Sequence, residues 1–251
     1  MIREGERIIL VDERGRKYLT RAESRKLQTN LGVVDLGEAV GKEPGCRLRS
    51  HIGREFVVLL PSPADYLEKI KRVPQIMLPK DAAQIVAHTG VGPGYMVVDA
   101  GTGSGALAIF LGNLVRPDGR VVSYEVREDF AEVARENVRL AGLEGVVEIK
   151  LKDICGGIDE KDLDLITLDI PRPELVLPHA ERALKPGGYL SVFAPCVEHL
   201  QRFYREVRNF GFIGLKTIEC LVREIVVMDS GTRPSSRMIA HTGYLTFARR
   251  S

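Results

Sequence analysis

Over residues 1–62, apolar positions come in short runs: Arg7-Ile8-Ile9-Leu10-Val11, Lys17-Tyr18-Leu19-Thr20 and Glu55-Phe56-Val57-Val58-Leu59-Leu60. Glycines at 15, 32, 37, 41, 45 and 53 punctuate them, and Pro61-Ser62-Pro63 closes the stretch. Runs of this length between turn formers predict strands, and so a small β-rich N-terminal domain over 1–62. From residue 63 to 251 the pattern changes. Ala64–Val73 predicts a short charged helix ahead of Pro74, and Lys80–Ala87 opens another. Strand patterns at 96–100, 120–125, 146–151, 164–169 and 188–194 then alternate with helical ones at 104–115, 128–141, 174–184 and 197–210. That alternation predicts an α/β domain, a mostly parallel doubly wound sheet with helices on both faces. Two extended runs, at about 213–228 and 241–248, flank a polar loop over 229–237 that is longer than a plain hairpin needs, which invites a functional role.

Composition adds constraints. In the 251 residues, 44% hydrophobic and 28% charged, no apolar run approaches the roughly 20 residues that span a bilayer, so no membrane association is expected. Met1-Ile2-Arg3-Glu4-Gly5-Glu6 lacks the apolar core of a secretory signal, which predicts a cytoplasmic protein. Cys46, Cys155, Cys196 and Cys220 have no paired spacing, so no metal site is expected and they read as buried small residues. The absence of Trp and the abundance of Arg, Glu and Lys follow the trend of heat-adapted proteins, in which intracellular disulfides do occur. A net charge of +2 is unremarkable, but residues 230–251 carry Arg233, Arg237, Arg249, Arg250 and His241 with no acid, a distribution suited to an anionic partner.

The chemistry concentrates at strand ends. Val97-Val98-Asp99-Ala100-Gly101-Thr102-Gly103-Ser104-Gly105-Ala106-Leu107 is an apolar strand running into a glycine-rich turn that opens a helix. Such glycines let the backbone approach a ligand closely. Glu125 closes the next strand about twenty residues on, where doubly wound cofactor sites set an acid against ribose hydroxyls. Asp153 and Ile154 follow the strand after that, although a strand-end aspartate also serves as a cap. Asp169, in Leu168-Asp169-Ile170-Pro171-Arg172, is delivered to the same carboxyl edge.

Asp-Ala-Gly-Thr-Gly-Ser-Gly resembles motif I of class I (Rossmann-like) S-adenosylmethionine-dependent methyltransferases, and Lys185-Pro186-Gly187-Gly188 resembles the turn before their fifth strand. Leu168-Asp169-Ile170-Pro171 is similar to the Leu-Asp-Leu-Pro variant of the tRNA (adenine-N1) methyltransferases. Gln75-Ile76-Met77-Leu78-Pro79-Lys80-Asp81 and the pair Arg233-Pro234-Ser235-Ser236-Arg237 and His241-Thr242-Gly243-Tyr244 look like further signatures of that family. The resemblance implies that S-adenosylmethionine is held by Gly101, Thr102, Gly103, Ser104, Gly105, Ala106, Glu125, Asp153, Ile154 and Asp169. It implies that Asp169 is catalytic and that N1 of a T-loop adenosine of tRNA is methylated, at position 58 and in some archaeal members also 57. It further implies a homotetramer. Leu78, Arg233, Arg237 and His241 are candidate RNA contacts, with Arg21, Arg25 and Lys26 as basic reinforcements. Leu78 stands where many members carry Tyr or His, which leaves an apolar contact in place of a ring. Two other readings share the glycine turn: a protein-carboxyl or small-molecule methyltransferase, and a non-catalytic RNA-binding subunit. The intact Gly101, Gly103, Gly105, Glu125 and Asp169 weigh against the last.

Overall fold

The computed structural model describes residues 1–73 and 75–251, and Pro74 lies outside the described residues. The chain forms two compact units, Met1–Ile70 and Lys71–Ser251. In the first, strands β1 (Arg7–Asp12), β2 (Lys17–Arg21), β5 (Arg47–Arg49) and β6 (Glu55–Leu59) make an antiparallel sheet in the order β2-β1-β6-β5, and β3 (Lys26–Thr29) pairs with β4 (Gly32–Asp35) in a hairpin. Ile8, Leu10, Val34, Leu48, Phe56 and Val58 fill its core. Helix α1 (Pro63–Lys69) belongs to this unit, so the division falls at 70/71 where 62/63 was expected. Ser62 caps the helix reciprocally with Asp65, and the Lys17 ammonium bridges Asp65 and Glu68, each at 2.8 Å. The helix expected to reach Val73 ends at Lys69, because Ile70 turns to an extended conformation.

The second unit holds the mostly parallel sheet that the alternation predicts, with seven strands in the order β12-β15-β11-β10-β7-β8-β9. Its members are β7 (Met96–Ala100), β8 (Arg120–Glu125), β9 (Val147–Leu151), β10 (Leu163–Leu168), β11 (Leu184–Ala194), β12 (Phe212–Glu219) and β15 (Tyr244–Arg250). Five strands, β9 through β11, run parallel, and β15 is antiparallel to both of its neighbours. Helices α2 (Pro79–Thr89), α3 (Ala106–Val115), α4 (Glu128–Ala141), α5 (Leu177–Ala183) and α6 (Val197–Val207) complete the unit. The chain leaves β7 toward β8 and β9 and returns to β10 on its other side. The crevice between the carboxyl ends of β7 and β10 is therefore the point where the winding reverses, which is where such sheets bind ligands.

Three expectations change. The helix over 174–184 is a 3-10 turn, Pro173–Val176, followed by the short α5, since prolines at 173 and 178 break its start. The extended run 213–228 is interrupted after Glu219. The loop over 229–237 is in part a hairpin, β13 (Ile225–Met228) with β14 (Gly231–Pro234), joined through Asp229-Ser230. Every residue of the two strands is exposed.

Candidate active site

The turn after β7 is built for close approach. Gly101, Gly103 and Gly105 all adopt positive φ (86°, 53° and 79°), and a Cβ on Gly101 would stand 2.0 Å from the Asp169 carbonyl oxygen. The Asp169 amide donates to the Ala100 carbonyl at 2.9 Å, so the ends of β7 and β10 are bound directly to one another. Thr102 and Ser104 turn their hydroxyls inward. Thr102 Oγ1 meets Ser123 Oγ at 2.6 Å and the Tyr124 carbonyl at 3.0 Å, and Ser104 Oγ accepts the Val73 amide at 2.9 Å. With both side chains buried, these two residues and Ala106 can offer a ligand only their backbone.

Glu125, 6% exposed, accepts the Gly103 amide on Oε2 at 2.9 Å and the amides of Val126 and Arg127 on Oε1 at 2.9 and 3.0 Å. A carboxylate has about four lone-pair sites, so one, on Oε2, remains for a hydroxyl where two hydroxyls were expected. Asp153 caps the turn Ile154–Gly156 by accepting the Cys155 amide through Oδ1 at 2.8 Å. The Cys155 thiol is hydrogen-bonded to the same carboxylate, and burial together with that charge raises the thiol's pKa. A cavity of about 340 Å³ opens between these groups, lined by Gly101, Glu125, Asp153, Ile154, Ile170 and Leu175 among others. Its volume is at the lower end of ligand sites, which run to roughly 300–1,000 Å³. Apolar walls with two carboxylates and bare glycine backbone among them suit a purine nucleoside extended by a polar chain.

Sequence reasoning missed what holds the cavity's wall. Tyr124 Oη donates to Glu160 at 2.5 Å and accepts the Asp159 amide at 3.1 Å, while the Lys150 ammonium reaches Glu160 at 2.8 Å and Asp159 at 2.7 Å. These bonds fasten the segment after Asp153 and Ile154 to β8 and β9. Asp99 was also missed. Buried at the end of β7, it accepts from Ser123 Oγ at 2.6 Å and Thr167 Oγ1 at 2.7 Å, and burial raises its pKa. Asp169 makes no side-chain hydrogen bond among the described residues. Burial, and then the nearby charge of Asp99, push its carboxyl from 3.8 to about 7.

The expected RNA contacts are not gathered at this cavity. Leu78 precedes α2 and is not among the lining residues. Arg233 lies on the exposed β14, and Arg237 follows it in an ST-type turn with Ser235. His241 has both ring nitrogens engaged, Nδ1 with Glu219 at 2.6 Å and Nε2 with the Pro195 carbonyl at 3.0 Å. Two acceptors on one imidazole favour the doubly protonated ring, and its pKa is raised accordingly, chiefly by Glu219. The His-Thr-Gly-Tyr segment is anchored to the rest of the unit by these and further bonds. Thr242 donates to Asp81 at 2.8 Å and receives Lys80 at 2.6 Å, and Lys80 also binds Asp81 and the Cys220 carbonyl. Gly243 makes room for the Phe193 ring, whose edge would lie 2.3 Å from a Cβ. In the N-terminal unit, Arg21 is bound to the Gly5 carbonyl and Arg25 to Glu23 and Thr20. The four cysteines are free thiols and only partly buried, where full burial was expected.

Residues 55–232 match the family described as the tRNA methyltransferase complex GCD14 subunit. The chain is 39% identical, over 96% of its length and 94% of the relative's, to the tRNA (adenine(57)-N(1)/adenine(58)-N(1))-methyltransferase TrmI of Methanocaldococcus jannaschii. Two crystal structures share the fold. One, from Thermotoga maritima, is described as an S-adenosylmethionine-dependent O-methyltransferase (TM-score 0.89, 36% identity, 99% of this chain and 94% of that one). The other is the tRNA (m1A58) methyltransferase TrmI of Aquifex aeolicus (TM-score 0.81, 25% identity, 99% and 98%).

Proposed function

The chain belongs to the GCD14/TrmI family of tRNA (adenine-N1) methyltransferases, and from that premise we propose that it methylates N1 of adenosine 58 in the tRNA T-loop, and adenosine 57 as well. The 57/58 specificity printed for the 39% identical relative supports the second position. The observation that carries the reading is Asp169: a carboxyl whose side chain has no hydrogen-bond partner among the described residues, at the winding reversal, beside a glycine cradle.

S-adenosylmethionine, when bound, supplies an electrophilic methyl group. Gly101, Gly103 and Gly105 present backbone to its amino acid portion. Glu125 offers one lone pair to a ribose hydroxyl, Asp153 a remaining lone pair to the adenine amine, and Ile154 an apolar wall. Asp169 accepts from the exocyclic N6 amine of the target adenine, which fixes N1 in line for transfer. As positive charge spreads over the target ring, the Asp169 carboxylate stabilises it, most strongly in the ionised form. The target adenosine has to leave its stack to reach this edge, and Arg233 and Arg237 supply positive charge for phosphates; the N-terminal unit separately offers the RNA Arg21, Arg25 and Lys26. His241 contributes charge alone. Leu78 offers the base an apolar contact.

We further propose a homotetramer in the cytoplasm. Leu221, Val222, Ile225, Val227, Met228 and Ile239 are exposed on and beside the β13–β14 hairpin, an apolar area that monomers rarely leave in water and that a second copy would cover. No helix among the described residues is long and apolar enough to cross a membrane.

Incubation of the purified protein with radiolabelled S-adenosylmethionine and unmodified tRNA tests the activity. Label is expected in 1-methyladenosine, lost in part when adenosine 57 or 58 is replaced and wholly when both are. Label in a hydroxyl or carboxyl product would favour an O-methyltransferase, as the Thermotoga maritima protein is described.

A further inference from the structure

We propose that Arg172 binds a backbone phosphate of the RNA strand that presents the target adenosine, and that Glu174 holds it ready. The inference rests on the tRNA reading of the site. Arg172 stands between Pro171 and Pro173, so the ring that follows restricts its backbone, here at φ −134° and ψ 64°. Its Nε donates to Glu174 Oε1 at 3.1 Å. Glu174 is only 8% exposed, and its Oε2 is buried with no partner. A carboxylate withdrawn from water with one bare oxygen is costly, and a chain that sought only stability would have a neutral residue there. What the arrangement achieves is a guanidinium tethered by one nitrogen with its other two uncommitted among the described residues.

That guanidinium is 62% exposed at the mouth of the cavity. The Cα of Arg172 is three residues from that of Asp169, at most about 11 Å, and the arginine side chain extends outward from there. This reach suits contact with the backbone of the nucleotide whose base meets Asp169. Lys152, the other cation of the cavity wall, is already bound to Asp159 at 2.5 Å. A planar fork with two free nitrogens matches two phosphate oxygens, which an ammonium does not. The cofactor's one anionic group, its carboxylate, belongs to the amino acid portion that the glycine turn would hold, so the anionic strand is the better-matched ligand for Arg172.

The test is binding of unmodified tRNA, without cofactor, to the wild type and to Arg172→Ala and Arg172→Lys across a salt series. Arg172→Ala is expected to weaken tRNA binding about tenfold and to flatten the slope of log affinity against log salt by about 0.7–0.9, while S-adenosylhomocysteine binding by calorimetry stays within twofold. Arg172→Lys is expected to keep the slope and recover only part of the affinity. Glu174→Gln should weaken tRNA binding in the wild type and add nothing in the Arg172→Ala background, whereas an additive loss would remove Glu174 from the proposal. Wild-type affinity and slope in Arg172→Ala would overturn the assignment, as would loss of S-adenosylhomocysteine binding with tRNA binding intact. If the wild type yields no 1-methyladenosine, the reading of the site has failed; if it does and Arg172→Ala binds tRNA normally, only this inference has.

Discussion

Asp99 is buried near the end of β7 and the half-buried Asp169 follows the adjacent β10; burial raises the pKa of both, that of Asp169 to about 7. Between pH 3.8 and about 7 the folded protein therefore binds a proton that the unfolded chain gives up. Stability from this residue is greatest at the acid end and is lost as pH rises through that window. Asparagine keeps the shape and carries no such penalty, so Asp169→Asn is expected to raise Tm by a few degrees at pH 8 and by less at pH 5 in calorimetry. Equal shifts at both pH values would mean that the carboxyl is not perturbed. The glycines of the turn and the strand-end acids were legible in the sequence because their spacing is local. The inward turn of Thr102 and Ser104 and the three amides on Glu125 were not, since they depend on which neighbours the fold supplies.

At the scale of elements, alternation of period 2 and period 3.6 disclosed the parallel strands and their helices. It could not disclose that β15 inserts antiparallel between β11 and β12, because strand order depends on pairing between distant segments. The same distance hid the anchor of the carboxyl-terminal segment. Lys80, Asp81 and Thr242 form one buried cluster across 161 residues of chain, and Asp81 is 1% exposed. Pro-Lys-Asp and His-Thr-Gly could be singled out as motifs, but only the fold shows that they bind each other. Lys80→Met leaves Asp81 buried with Thr242 as its remaining side-chain partner, a loss of about 3–5 kcal/mol by analogy with other broken buried pairs, or roughly 6–20 °C in Tm. Lys80→Met with Asp81→Leu should recover much of it. A single variant within 0.5 kcal/mol of the wild type, measured by denaturant unfolding, would show the pair to be incidental.

For the whole molecule, the β13–β14 hairpin is the feature the isolated chain cannot explain. Four consecutive apolar residues, Ile225–Met228, are all exposed, Val227 at 76%. Val227→Asp is expected to lower the mass found by light scattering below that of the wild-type oligomer, with the monomer fold intact by circular dichroism; an unchanged mass would place the interface elsewhere. The sequence displayed these residues as an extended run, yet a run without a visible partner reads equally as a core strand. The central claim, that one sheet edge brings an adenosine N1 to a methyl donor under the hold of Asp169, is tested most directly by single-turnover methylation of unmodified tRNA across pH 5.5–8.5. The wild-type rate should rise with pH through about 7 and level off, and Asp169→Asn, with cofactor binding intact, should be slower by at least about a hundredfold and flat. A variant that forms 1-methyladenosine at the wild-type rate would contradict it.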